Sequence, residues 1–151
     1  MYESITASQA HLMPYMPWAE LPTTLEQRID FLRMAIANYH LGMEAFMGIW
    51  DKTETTFIGS TGYRDLIDGN AAKIGYWVDV RHARKGYITE TAAALTKVAF
   101  DIEGWDRMEI HHVTENVASG KVPKRLGYTH EATLKQCLPM VGGLGDKMIW
   151  T

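Results

Sequence analysis

The segment from residue 71 to 115 restricts the fold more than any other part of the chain. It begins with "AAKIGYWVDV" (71–80), a short run rich in Ile, Tyr, Trp and Val that reads as a strand. From 87 to 102 an alanine-rich stretch places Leu95, Val98, Ala99 and Ile102 on one face of a helix, which Gly104 ends. "RMEIHHVTE" (107–115) then returns to a strand. A strand, a crossover helix and a strand in this order place the two strands in parallel. The fold must therefore hold one parallel pair with a helix packed over it.

The remaining segments set antiparallel elements around that unit. "EAFMGIWDK" (44–52), "TTFIGSTGYRDL" (55–66) and the 71–80 run, separated by Lys52-Thr53 and by Asp68-Gly69-Asn70, read as an antiparallel meander. Upstream, Leu25, Ile29, Leu32, Ile36 and Tyr39 recur at spacings of three and four, an apolar stripe on a helix over 24–41. Thr24 with Gln27, or Thr23 with Glu26, forms a capping box, and Gly42 suits the stop. "MPYMPWAELPTT" (13–24) carries Pro14, Pro17 and Pro22, so it is a turn-rich connection that brings Tyr15, Met16 and Trp18 to a groove or beneath one. "SGKVPKRLGY" (119–128) is a short helix closed by Gly127, and "THEATLKQCL" (129–138) with "KMIWT" (147–151) makes a final strand pair. The order is helix, three strands, helix, strand, helix, two strands. This is an α+β fold: a mixed, mostly antiparallel sheet with a central parallel pair.

At 151 residues the chain suits one domain over 1–151, large enough for its own core. A net charge of −3 leaves no wide cationic face, so direct nucleic-acid binding is not expected. Cys137 is the one cysteine, which excludes an intrachain disulfide and a Cys-based zinc site and fits a reducing compartment, the cytoplasm. No signal peptide shows in the first twenty residues, and the apolar runs fall far short of the ~20 residues of a membrane helix, so no membrane is expected. His111 and His112 are adjacent in a strand and point to opposite faces, which speaks against a shared metal ion.

In this acidic chain, Arg81, Arg84 and Lys85 gather ahead of Gly86, where the helix over 87–102 begins. The first N–H groups of a helix have no internal partner and carry the positive end of its dipole. A glycine lets a phosphate approach that backbone, and flanking cations add charge-assisted hydrogen bonds, so a diphosphate suits this place. A solvated turn before a helix has the same composition. Neither G-x-x-x-x-G-K-[ST] nor G-x-G-x-x-G is present, so the usual nucleoside triphosphate and dinucleotide loops have no support.

Context favours the first reading. "IGYWVDVRHARKGYITE", followed by "RMEIHHVTENVASGKVPKRLGY", resembles the GNAT acetyltransferase superfamily, and within it the RimJ/RimL type that acetylates the amino termini of ribosomal proteins. The family segment N-x-x-S-x-x-V-x-x-x-L-G-[FY] is matched by Asn116, Ser119, Val122, Leu126, Gly127 and Tyr128. The "MPW" at 16–18 and Asp146 also resemble that branch, and the likeness runs over about 10–150.

The resemblance implies a GNAT-like fold with helices on both faces of the sheet, and acetyl-CoA held where the parallel pair of strands, 73 to 80 and 107 to 115, splays after a bulge around Trp77 to Asp79. Trp77, Val78 and Val80 are then assigned to its pantetheine arm, and Arg81, Arg84, Lys85, Gly86, Tyr87, Ile88, Thr89 and Lys121 to its phosphates and their surroundings. Ser119 stands where an acid for the leaving thiolate is needed, with Asn116 orienting the pantetheine or a water; an N-cap is the plainer role for Ser119. Glu109 is the candidate base through a water, with Glu115 as a second choice. Tyr15, Trp18, Tyr63 and Arg64 are expected on the acceptor side, and no metal is expected.

Three departures from the family qualify this. The family loop is [QR]-x-x-G-x-[GA], and anchored on Gly86 its outer positions are Ala83 and Ile88. The tyrosine that many relatives place seven residues after the asparagine is Pro123. The first family strand is missing, since the chain starts at or inside the first family helix, so an edge is left open or a partner chain covers it, as in a homodimer. The implied function is transfer of an acetyl group to the N-terminal α-amino group of a protein, a ribosomal one by analogy with that branch. Acetylation of a small amine or antibiotic, and a non-catalytic module that binds coenzyme A or dimerises, are the alternatives.

Overall fold

A computed structural model of the chain describes residues 1–20, 22–67 and 70–151, the side chains at 65–67 excepted. In chain order the elements are α1 (Tyr2–Leu12), α2 (Leu25–His40), β1 (Ala45–Trp50), β2 (Phe57–Ile67), β3 (Ala71–Val78), α3 (Tyr87–Asp101), β4 (Arg107–Val113), α4 (Val117–Leu126), β5 (His130–Met140) and β6 (Gly143–Trp150), with single 3-10 turns at Pro17–Ala19 and Val80–His82. The six strands form one sheet in the order β1-β2-β3-β4-β6-β5. Only β3 and β4 run parallel, as the strand-helix-strand order requires. Asp68 and Gly69, expected in the turn between β2 and β3, lie outside the described residues. No strand precedes α1 among the described residues, and β1 forms one edge of the sheet.

Alternation along the strands sorts side chains to two faces. Tyr63, Ala72, Ile74, Met108 and Ile110 pack with Leu95 and Ala99 of α3 and with Trp150. On the opposite face Trp77 packs with Ile5 and Leu12 of α1 and with Ala19. Helices thus cover both faces. Gly120 lets α4 approach the sheet closely, because a Cβ there would lie 2.8 Å from the His112 ring.

Two helices differ from expectation. α1 lay outside the expected element order because its buried positions, Ser4, Ile5, Ser8 and Leu12, are half serine and make no apolar stripe. α2 has the Thr24–Gln27 capping box, but Leu25, Ile29, Leu32, Ile36 and Tyr39 are 36–59% exposed. Arg28, Phe31 and Ala35 turn toward the sheet instead: Ala35 is buried, Arg28 half-buried, and Phe31, though 38% exposed, stands edge-on to Phe46 of β1 at 5.1 Å between ring centres.

The strands separate earlier than expected. β3 and β4 share three pairs, Ala71↔Arg107, Ala72↔Met108 and Lys73↔Glu109, and no more. The β2–β3 ladder runs regularly from Arg64↔Lys73 to Gly59↔Val78, so the splay does not follow a bulge at Trp77 to Asp79. It begins directly after Lys73, while β4 turns instead to β6 through Ile110↔Trp150 to Val113↔Lys147.

Candidate active site

The gap between β3 and β4 opens into a cleft of about 780 Å³. One wall is the start of α3. Gly86 is its N-cap residue at φ 91°, a conformation that favours glycine, and no side chain caps the helix. Arg84 and Lys85 from the preceding loop and Lys121 and Arg125 from α4 line the same cleft. Among the described residues none of these four has an ion-pair partner. The His82 ring also lines the cleft, and its buried Nδ1 has no hydrogen-bond partner. Free helix N–H groups, four unpaired cations and an unsatisfied ring nitrogen suit a phosphorylated ligand.

Trp77, Val78, Val80, Arg84, Lys85, Gly86, Tyr87, Ile88, Thr89, Asn116, Ser119 and Lys121 all line the cleft. Arg81 does not. Its guanidinium forks onto Asp79, with Nε 2.9 Å from Oδ1, and its backbone N–H donates to the same oxygen at 2.9 Å. Asp79 is fully buried, and the Arg81 hydrogen bond, followed by its backbone and Ser4 contacts, holds the carboxyl down at about 2 against the cost of burial. The next N–H, from Val80, donates to Ser8 Oγ of α1 at 2.9 Å. Arg81 therefore fastens the base of the loop rather than facing the ligand. Arg125, near the end of α4, also borders the cleft.

A second cavity of about 480 Å³ lies between the sheet and the α1–α2 side. Tyr15, Met16, Tyr76, Trp77, Asn116 and Ser119 line both spaces, so the two meet at these residues. Asn116 is the N-cap of α4, with Oδ1 accepting from the Ser119 N–H at 3.1 Å. Ser119 is thus in the first turn and not itself the cap, which leaves its hydroxyl free for other partners. It lies 3.1 Å from the Tyr76 hydroxyl, which also donates to the Ser119 carbonyl at 3.2 Å. Burial pushes the Tyr76 phenol up to about 12, so it keeps its proton at neutral pH.

Of the residues expected on the acceptor side, Tyr15, Trp18 and Arg64 line the second cavity. Tyr63 does not: it is 4% exposed, stands edge-on to Trp105 at 4.7 Å, and its hydroxyl donates to the Leu95 carbonyl at 2.6 Å. Tyr63 packs in the core beneath α3, while its strand neighbour Arg64 points to the other side of the sheet. Glu109 lines neither cavity, and neither does the exposed Glu115. Glu109 instead accepts from Arg107 Nε at 2.7 Å and contacts His111 Nε2 at 2.5 Å. Burial works to raise its carboxyl, but Arg107 and His111 outweigh this and hold it below the ordinary value.

His111 lines the second cavity. Burial lowers its pKa despite Glu109, which favours the neutral ring. A carboxylate at Nε2 selects the tautomer with the proton there and leaves Nδ1 with its lone pair. His112 also borders this cavity, but its ring nitrogens are engaged elsewhere: Nδ1 donates to the Val113 carbonyl at 2.7 Å, Nε2 accepts from Trp150 Nε1 at 2.9 Å, and the ring abuts Gly120. Tyr76 and Arg28 line the second cavity without having been among the expected site residues. Glu109 and His111 share one face of β4, as their i,i+2 spacing requires, and of the two it is His111 that reaches the cavity.

Residues 1–129 match the acetyltransferase (GNAT) domain model. The uncharacterized N-acetyltransferase YoaA of Bacillus subtilis (strain 168) is 25% identical over 129 residues, 85% of this chain and 73% of that protein. YnaD, an uncharacterized N-acetyltransferase from the same organism, is 26% identical over 93 residues, 58% of this chain and 52% of its own length. The fold is that of RimL, a ribosomal L7/L12 α-N-protein acetyltransferase solved in complex with coenzyme A: the TM-score is 0.90 at 22% identity, over 99% of this chain and 84% of that one. MccE, a microcin C7 self-immunity acetyltransferase solved with acetyl-CoA and AMP, superposes with a TM-score of 0.91 at 21% identity, over 99% of this chain and 82% of that one. The matched domain and the cleft at the splayed strands together place the chain in the GNAT family of N-acetyltransferases.

Proposed function

We propose that the protein transfers the acetyl group of acetyl-CoA to a primary amine, with the N-terminal α-amino group of a protein as the favoured acceptor. One observation carries this reading: a cation-lined cleft and a second cavity enter the β3–β4 gap separately and meet at Ser119 and Tyr76. Two reactants can therefore approach from opposite sides and react only where the spaces join. The likeness to RimL supports a protein α-amino group as acceptor.

When bound, acetyl-CoA supplies an acetyl group activated as a thioester. The start of α3, with Arg84 and Lys85, holds the diphosphate, and Lys121 and Arg125 add positive charge from α4. The edge of β3 beyond Lys73 has no β4 partner and can pair with the pantetheine amides as a strand would. His111 Nδ1 accepts the proton of the attacking amine, and Glu109 positions the ring and steadies its positive charge. Ser119 Oγ holds a proton where the departing thiolate needs one, and the Tyr76 hydroxyl backs it.

Thiol release measured with N-terminal peptides, polyamines and aminoglycosides, alongside thermal stabilisation by acetyl-CoA, tests the reading. Acetylation of peptide α-amino groups is the expected outcome. Stabilisation without turnover on any acceptor would favour a non-catalytic module. At 100 times its dissociation constant, acetyl-CoA should stabilise the fold by about 2.7 kcal/mol.

A further inference from the structure

The second cavity carries a charge pattern that acetyl transfer alone does not explain. Its lining includes Arg28 and Arg64 and, among the described residues, no Asp or Glu. The Arg28 guanidinium carbon lies 5.5 Å from the Trp18 ring centre and 5.9 Å from that of Phe31, and its Nε donates to Thr23 Oγ1 at 3.0 Å. Rings and a hydroxyl thus hold this cation in place, and no carboxylate pairs with it among the described residues. Burial lowers its pKa, the mark of a charge partly removed from water without a counterion. Arg64 has no carboxylate partner among the described residues either, and its side chain lies across Gly75, where an added Cβ would sit 3.2 Å from its Cδ and 3.3 Å from its Nε. The glycine leaves the sheet floor clear for this arginine.

We propose that Arg28 and Arg64 form an anion clamp, so that the preferred acceptor is an amine that also carries a carboxylate or phosphate, and polycationic amines are rejected. This rests on the acetyl-transfer reading and names the class of acceptor that site takes. An anion between two guanidinium groups gains charge-assisted hydrogen bonds and relieves their uncompensated charge. A polyamine or aminoglycoside would instead bring further ammonium groups to a cavity whose described lining holds no carboxylate to receive them.

The test compares acceptors that share one free α-amino group: the tetrapeptide amides Ser-Glu-Asp-Phe and Ser-Lys-Arg-Phe, with free glutamate and spermidine alongside. The acidic peptide should exceed the basic one in kcat/KM by about tenfold or more, and spermidine should be the poorest acceptor. The double variant Arg28→Gln with Arg64→Gln should erase most of that ratio through KM, and Arg28→Glu with Arg64→Glu should reverse it. Glutamate matching the acidic peptide would assign the anion to a small amine, and glutamate failing beside an active peptide would assign it to a polypeptide; both outcomes support the clamp. Equal or better use of the basic peptide or spermidine, or a ratio that survives the double glutamine variant, overturns it. Calorimetric titration of both peptides in the presence of coenzyme A separates the clamp from turnover. Tighter binding of the acidic peptide, lost in the double glutamine variant, supports the clamp even if nothing is acetylated, and equal binding of the two peptides overturns it.

Discussion

The two helices that flank the cleft begin in different ways. α4 satisfies its own first turn, with Asn116 Oδ1 accepting from the Ser119 N–H. α3 starts at Gly86 with no side-chain cap, its N–H groups facing a cleft lined by Arg84 and Lys85. A capped start costs a helix nothing more, whereas an uncapped start leaves donors that a ligand can satisfy. α3 thus offers its backbone to the ligand, and α4 offers side chains: Ser119, Lys121 and Arg125.

Substitutions can separate the two roles. The largest effect is expected at Ser119, a side chain on the capped helix. Ser119→Ala should lower kcat about 10²-fold, with coenzyme A affinity little changed in calorimetry, because the role proposed for the hydroxyl is to handle a proton rather than to bind the phosphates. Unchanged kinetics would remove Ser119 from that role.

The next effect concerns the base of the loop that leads to α3. The Asp79 carboxyl is held at about 2, below the 3.8 of a free carboxyl, so it stabilises the fold fully above the unfolded value. That contribution is lost as pH falls from about 4 through about 2. It is worth on the order of 1–2 kcal/mol, discounted because the Arg81 side chain is 57% exposed and screened by solvent. Urea unfolding at stepped acidic pH should show this loss in the wild type and not in Asp79→Asn; identical curves would contradict it.

Arg84→Glu should weaken coenzyme A binding about tenfold, an effect that shrinks at high salt, because it places a carboxylate beside the phosphate site. Asn116→Ala should destabilise the protein by about 1 kcal/mol in urea unfolding, the value of a lost cap. A thermal shift for Asn116→Ala as small as that of a surface substitution would show that α4 does not depend on its cap.

The unit from 71 to 115 was legible in the sequence because its signals are local: a β-rich run, a glycine at the helix start and an apolar stripe over 87–102. The Thr24–Gln27 box was legible for the same reason. Tyr76 was not, since its partner Ser119 is 43 residues away and only the fold brings them together. Arg81 drew attention as a cation near a phosphate site, yet Asp79, two residues before it, is a turn-capping residue with an arginine in reach. α2 shows the limit of periodicity: its apolar stripe is real, but its track toward the sheet is Arg28, Phe31 and Ala35. The second cavity, the proposed acceptor site, is built partly from that track, so its chemistry emerged only with the fold.

Titration calorimetry with coenzyme A, on the wild type and on Gly86→Val, tests the central claim most directly. Valine disfavours the φ of 91° at residue 86, so it should disturb the start of α3 while the Asn116 cap on α4 is left in place. The account predicts saturable binding to the wild type and a loss of about tenfold or more in the variant. No heat with the wild type, or equal affinity in both proteins, would contradict it.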